Sequence, residues 1–239
     1  MINIKNILNI NDVKNIFNLK SDNKLINNYK SRGLLLNFKN KIYKILNSEK
    51  QQFGRGSFYQ SFDELNIKGQ RPTNYRIERY NLKKYLDKNK TILDIGNNVG
   101  FFDLTIASMV KSIIGIEYNK SLSVIANMTK EFLCINNVNF ISGDFNKTNF
   151  NEKFDIIFSF AVHYWLGHNA EYHSKTIYNL LNSGGIVIIE SQDINSEVDR
   201  DFDSKYIVDF YKNRFKILEY GRIKDDNIIE RSFFICQKL

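Results

Sequence analysis

The chain has 239 residues, 43% of them apolar and 14% aromatic, which is enough to bury a sizeable core and excludes a wholly disordered chain. Its formal net charge is +8, unevenly spread: residues 1–90 carry net +12 and residues 91–239 net −4. The two cysteines, Cys134 and Cys236, are far apart and lack CxxC spacing, which argues against a disulfide framework or a zinc site.

The abundance of Asn, Lys and Ile, with one proline, reflects an AT-rich genome. The N-terminal stretch MINIKNILNINDVKNIFNLK has no continuous apolar region and no small-residue cleavage site, so no secretory signal is expected. No apolar run reaches the roughly 18 residues that span a bilayer, so no membrane insertion and a cytoplasmic location are expected. The basic first 90 residues suggest an anionic partner, such as a phosphate, a nucleic acid or a membrane surface; a solubilising lysine surface accounts for them equally well.

Residues 1–50 read as helical, with apolar residues at Ile4, Ile7 and Leu8 and again at Leu34, Leu35, Phe38, Ile42, Ile45 and Leu46. Residues 51–75 mix Gly, aromatics and Arg and read as an ordered loop; RIERYNLKKYL then reads as a helix. Residues 1–90 are expected to form a helical, lid-like segment and residues 91–239 a second domain.

From residue 91 strands and helices alternate. TILDI is a strand, followed by a glycine loop and the helix FFDLTIASMV. SIIGIE, VNFISGD, FDIIFSFAV and GIVIIES are further strands, with helices through SLSVIANMTKEFL and from Ala170 to Leu181. Cys236 lies in an apolar alternating run and reads as a core thiol. A helix from Lys205 to Lys212 precedes FKILEYGRI and NIIERSFFICQK, which read as an antiparallel hairpin closing the sheet. The fold class is α/β: a Rossmann-like, seven-stranded, mostly parallel sheet with an antiparallel C-terminal hairpin, plus an N-terminal helical cap.

The glycine loop reads LDIGNNVGFF. A tight turn after a parallel strand sets the next helix's N-terminus beside a ligand, and glycines permit the bend and the close approach. Asn98 stands where a nucleotide fingerprint would carry glycine. Asn is the non-glycine residue best able to take positive φ, so Asn98 is expected to do so. Glu117 ends the second strand, about 20 residues on, where a carboxylate can accept from a ribose diol. Asp144 ends the third, where it can accept from an adenine amine while Phe145 packs on the ring. Asp94, Glu117 and Asp144 thus end three successive strands at the ligand-binding edge of an open sheet. Asp94, two residues ahead of Gly96, would suffer beside a pyrophosphate but suits an ammonium group. That tilts the choice from a dinucleotide to S-adenosylmethionine.

Residues 91–239 resemble the catalytic domain of class I S-adenosylmethionine-dependent methyltransferases. LDIGNNVGFF is similar to that superfamily's first motif, D/E-x-G-x-G-x-G, except at Asn98. IGIE, GDF, FDIIFSFAV and LLNSGG follow its later motifs in order and spacing, and the C-terminal hairpin matches its reversed seventh strand. The resemblance implies S-adenosyl-L-methionine as the cofactor. It implies that Glu117 binds the ribose hydroxyls, that Asp144 and Phe145 hold the adenine, and that the loop Asp94–Gly100, with Gly96, Asn98 and Gly100, holds the methionine part. Phe101, Tyr118 and Phe160 complete the expected cofactor set.

The reacting methyl should face SFAVHYWLGHNAEYH, which contains all three histidines and the one tryptophan. His163 is the expected general base, against the alternative of a packed residue with no role in proton transfer. Tyr164, Trp165 and His168 are expected to line the acceptor pocket. The histidine spacing does not converge on one helical face, so no metal is expected. Superfamily members that methylate base amino groups usually carry an Asn/Asp-Pro-Pro-Tyr-like motif where this chain has Ser159-Phe160-Ala161-Val162. Neither cysteine fits the Pro-Cys motif of ring-carbon methylation. The segment is instead similar to small-molecule methyltransferases.

In GQRPTNYRIERY, Arg71, Tyr75 and Arg76 are expected at an anionic substrate or at the methionine carboxylate; the alternative is surface arginines paired with Glu78 and Asp87. The function expected is methyl transfer to a small, anionic or sugar-linked metabolite, with oxygen the favoured acceptor. Composition and size also resemble bacterial enzymes that decorate surface-polysaccharide precursors. The rivals are an RNA methyltransferase, with residues 1–90 binding RNA, and a non-catalytic adenosyl-binding protein.

Overall fold

The computed structural model describes residues 29–48, 57–167, 169–191, 208–209, 211–224 and 230–239. The helical pattern at Ile4, Ile7 and Leu8 lies outside them. Of the helix expected over Lys205–Lys212, residues 208–209 and 211–212 are described; 208, 209 and 211 are helical and Lys212 is in a turn.

The first described element is α1 (Tyr29–Ser48). Phe38, Ile42 and Leu46 recur every four residues and are all buried, so α1 presents one apolar stripe to the core. Next come two three-residue strands, β1 (Phe58–Gln60) and β2 (Gly69–Arg71), paired in parallel. They occupy the stretch expected to be loop; three residues are too few to show a strand's period. Helix α2 (Thr73–Arg79) is shorter than RIERYNLKKYL suggests. Asn81 takes φ 52°, which stops the helix, and the chain resumes as a single 3₁₀ turn, Leu82–Lys84.

The main sheet begins with β3 (Thr91–Ile95), followed by α3 (Phe101–Ile106), β4 (Ser112–Glu117), α4 (Lys120–Phe132), β5 (Val138–Ser142) and β6 (Phe154–Phe160). Then come α5 (His163–Leu166), α6 (Ala170–Leu180), β7 (Leu181–Glu190), β8 (Phe215–Lys224) and β9 (Glu230–Lys238). The strand order is β5-β4-β3-β6-β7-β9-β8, and β9 runs antiparallel to both neighbours. Parallel strands covered on both faces are mostly apolar, as TILDI and FDIIFSF are apart from Thr91, Asp94, Asp155 and Ser159. Their side chains alternate between two cores. Ile92, Ile156 and Phe158 join one with α1, α3 and α4; Leu93, Ile95 and Ile157 join the other with Ile177 of α6.

The segment before β3 is built into the first of these cores. Phe38 of α1 stacks on Phe132 of α4, with centroids 4.1 Å apart. Phe58 of β1 and Phe62 both pack on Phe101 of α3. Among the described residues no helix is long and apolar enough to cross a membrane. Cys236 is buried in β9, where burial pushes its thiol up to about 12, so it is an inert core side chain.

Candidate active site

The C-terminal ends of β3, β4, β5 and β6 open on a cavity of about 790 Å³. Its position follows from topology. β3 lies between β4 and β6, and the chain leaves it on one side and returns on the other, the switch point at which open α/β sheets bind ligands.

The glycine loop forms one wall. Gly96, Asn98 and Gly100 take φ 74°, 54° and 69°, so Asn98 holds the left-handed conformation expected of it. Its side-chain Oδ1 accepts from the Val99 amide at 2.9 Å, a local bond that makes this conformation cheaper for Asn than for most residues. The Gly96 amide donates to the Ile116 carbonyl at 2.8 Å, tying the loop to β4. A Cβ on Gly100 would lie 2.4 Å from the Phe140 ring, so close packing as well as φ demands glycine there.

Glu117 is anchored from below. Its Oε2 accepts from the Asn98 amide at 2.9 Å and its Oε1 from the Asn119 amide at 2.8 Å. Burial pushes its pKa up, and these backbone donors pull it back down. Glu117 itself lines the cavity. Asp144 also lines the cavity, and its Oδ1 accepts from the Asn146 amide at 3.0 Å. Phe145 and the 76%-exposed Tyr118 add aromatic surface to the same wall.

Asp94 lies at the floor, only 2% exposed, and Oδ1 has no hydrogen-bond partner among the described residues. Asp103, in the first turn of α3, is its buried neighbour. Burial pushes Asp94 up to about 7; burial and the Asp94 charge hold Asp103 well above the ordinary carboxylate range. A buried acidic side chain in the cavity wall fits a cationic group. An anchored glutamate one strand away fits a diol. The residues present therefore fit S-adenosylmethionine.

Gly96, Asn98, Phe160, Trp165 and Arg76 also line the cavity. Gly100 and Phe101 stand behind it, shaping the loop and the start of α3. Tyr75 is 43% exposed and outside the lining. Tyr164 belongs to α5, and its side chain, like His168, is outside the described part.

His163 is also outside the lining. It is 3% exposed and packs edge-on against His173, centroids 4.2 Å apart, while His173 Nε2 bonds with Ser159 Oγ at 3.0 Å. Burial lowers the His163 pKa to about 4, so the ring is neutral near pH 7. The sequence reading placed this ring at the reacting methyl. The first turn of α5 instead turns it into the packing between α5 and α6.

Of the two arginines expected at the site, Arg76 lines the cavity and Arg71 stands outside the lining. Arg71 and Arg76 are buried, 0% and 1% exposed, and neither pairs with Glu78 or Asp87. Both converge on Glu190, at the end of β7. Arg71 forms a fork with bonds of 2.6 and 3.0 Å, and Arg76 Nη2 lies 3.4 Å from Oε2. Tyr80 donates to the same carboxylate, and Arg231 Nε approaches it at 3.5 Å. The guanidiniums hold Glu190 at about 2 against the effect of its burial. The signal for Glu190 was present in the sequence: like Asp94 and Glu117, it is an acid ending a parallel strand.

Gln60 is a second residue that sequence reasoning missed. Its Oε1 accepts from the Phe101 and Phe102 amides at 3.0 and 3.3 Å, and its Nε2 donates to the Asn97 carbonyl at 3.3 Å. It thereby caps α3 and fastens the glycine loop. No local pattern marks such a bond.

A family model described as "Methyltransferase domain" matches residues 86–219, more than half of the chain. Over 108 residues the chain is 32% identical to an uncharacterized RNA methyltransferase of Mycoplasma mobile, covering 44% of this chain and 27% of that protein. Over 115 residues it is 34% identical to methyltransferase 235L of Invertebrate iridescent virus 6, covering 45% of this chain and 41% of that one. The chain therefore spans less than half the length of these curated relatives. Among solved structures, the N-methyltransferase NodS from Bradyrhizobium japonicum superposes with a TM-score of 0.56 at 15% identity, covering 69% of this chain and 97% of that one. Its S-adenosyl-L-homocysteine complex superposes with the same score, covering 70% and 88%. An rRNA methylase from Streptococcus thermophilus gives 0.54 at 14% identity, covering 69% and 96%. At such identities these structures share the fold. Together with the family match over residues 86–219 and the site at the strand ends, they identify the chain as a member of the methyltransferase-domain family, within the class I S-adenosylmethionine-dependent methyltransferases.

Proposed function

We propose that the protein transfers the methyl group of S-adenosylmethionine to an oxygen of a small, anionic or sugar-linked metabolite. The observation that carries this reading is the cavity itself: one space of about 790 Å³, within the range of small-molecule sites, bounded by the glycine loop, Glu117 and Asp144. S-adenosylmethionine brings an electrophilic methyl on a sulfonium. Glu117 would accept from the ribose hydroxyls, Asp144 and Phe145 would hold the adenine, and Asp94 would face the ammonium. Trp165, Phe160 and Arg76 would bound the acceptor, aligning it and excluding water. His163 is outside the lining, so the acceptor favoured is an oxygen that is already ionised and needs no proton removed.

Calorimetry tests the reading. S-adenosylmethionine and S-adenosylhomocysteine should both bind, and Glu117→Ala should weaken both at least tenfold, since two diol hydrogen bonds are lost. Absence of binding by either ligand overturns the enzyme reading. A second reading, RNA methylation, draws support from the basic first 90 residues and from the Mycoplasma mobile relative's name. It requires RNA binding that weakens steeply with salt; filter binding at low and physiological salt separates the two.

A further inference from the structure

An acid in the first turn of a helix ordinarily caps it, its carboxylate accepting from the amides there. Asp103 holds that position in α3 and does not do so. The amides are taken: Phe101 and Phe102 donate to Gln60 Oε1, and Gly100 donates to the Asn97 carbonyl. Asp103 is instead turned inward, 0% exposed, and neither of its oxygens has a donor among the described residues. Asp94 Oδ1 is in the same state, buried and without a donor. What each carboxyl group does have within hydrogen-bonding reach is the other. Two buried carboxyls side by side cannot both ionise, and oxygens that lack N–H donors are joined by a proton held between them.

Exposure and charge say which of the two keeps the proton. Asp94 lines the cavity, where a ligand can balance its charge, and Asp103 stands outside the lining. The charged groups acting on Asp94 are Asp103 of α3, Arg76 of α2 and Glu117 of β4. The one acting on Asp103 is Asp94. Among the described residues no cation acts on Asp103, so an ionised Asp103 would be a buried charge with nothing to balance it. Asp103 therefore keeps its proton when Asp94 ionises.

We propose that Asp103 is a positioning residue for the cofactor: its protonated carboxyl donates to Asp94 and holds the ionised Asp94 as the acceptor for the ammonium group of S-adenosylmethionine. This rests on the methyltransferase reading above, which supplies the ammonium. When the ligand binds, Asp94 gives its proton to solvent and Asp103 keeps its own, so the site ends with one carboxylate, one carboxylic acid and one ammonium.

The aspartate carboxyl carbon signals of the ligand-free protein would be followed by NMR from about pH 5 to about pH 9, with Asp94→Asn and Asp103→Asn assigning the pair. The Asp103 signal should still hold its protonated position at about pH 8, where the Asp94 signal has moved. An Asp103 already ionised at about pH 6 overturns the proposal in the wild-type protein alone. Calorimetry with S-adenosylhomocysteine reads the role in binding. Asp103→Asn keeps a donor and should bind within about threefold of wild type, with the same tightening from about pH 6 to about pH 8. Asp103→Leu removes the donor; it should bind about tenfold more weakly at about pH 7, and its tightening should move to higher pH. Circular dichroism checks that both variants fold, and where Asp103→Leu does not, the wild-type spectra and Asp103→Asn decide. A packing role alone would leave the pH profile of Asp103→Leu where wild type has it. That result overturns the proposal, as does an equal loss of affinity in both variants. If the wild-type protein binds neither S-adenosylmethionine nor S-adenosylhomocysteine, the methyltransferase reading fails and takes the cofactor role with it. The ligand-free spectra then still decide whether Asp103 donates to Asp94.

Discussion

At the scale of single residues the loop turns on Asn98. Its φ of 54° costs a Cβ-bearing residue roughly 1–2 kcal/mol, partly offset by its bond to the Val99 amide. Asn98→Gly should keep the turn and bind S-adenosylhomocysteine within about threefold of wild type. Asn98→Val puts a β-branched side chain in the same conformation and moves the amide that anchors Glu117. It should weaken binding at least tenfold in calorimetry, and equal affinity for the two variants would show that the loop binds by another geometry. His163 carries the opposite expectation. With a neutral ring held out of the cavity, His163→Ala should retain turnover within a few-fold, measured as S-adenosylhomocysteine release with an active acceptor. A loss of two or more orders of magnitude with cofactor affinity retained would return it to the role of base.

At the scale of elements, the part of the chain before β3 is what completes the site. Gln60 of β1 caps α3, whose N-cap, Gly100, has no side chain to do so. Gln60→Ala leaves two buried amides unpaired and should cost about 1–3 kcal/mol in a denaturant melt, with weaker S-adenosylhomocysteine binding because the Asn97 carbonyl loses its tie. An unchanged midpoint would mean that water replaces the amide. This element also shows where sequence reading stops. The strand-ending acids Asp94, Glu117 and Asp144 and the positive φ of Asn98 were legible, because strand period, strand ends and loop chemistry are local. The reversed β9 was foreseen through a family likeness. The ties of Gln60 to α3 and of Arg71 to Glu190 span 41 and 119 residues, and nothing local encodes them. The alternative of a solvated helix face fails because Glu190, far along the chain on β7, pairs with Arg71 and Arg76 in the interior.

For the molecule as a whole, two buried acids make opposite demands on pH. The guanidiniums hold Glu190 at about 2, below the roughly 4.3 of an unfolded glutamate. Its stabilising contribution is present above that unfolded value and is lost as pH falls through about 2. Burial raises Asp94 to about 7, above the roughly 3.9 of an unfolded aspartate. Its contribution is complete only below that unfolded value and is lost as pH rises through about 7, so the ligand-free protein loses stability in that range. A bound ammonium reverses this demand, because a cation beside Asp94 favours the ionised form and releases the proton. Binding of S-adenosylhomocysteine should therefore tighten as pH rises from about 6 to about 8, with proton release visible as buffer-dependent calorimetric heats. Ligand at a fixed excess raises the melting temperature through mass action, and for a chain of this size each kcal/mol is worth roughly 2–4 °C. The ligand-induced rise in melting temperature should grow over the same pH range in the wild-type protein. In Asp94→Asn, which cannot ionise, it should be smaller and flat with pH. A rise of equal size at both pH values in the wild-type protein would mean that the ammonium is held elsewhere, and that the acid ahead of the first glycine serves the loop and not the ligand.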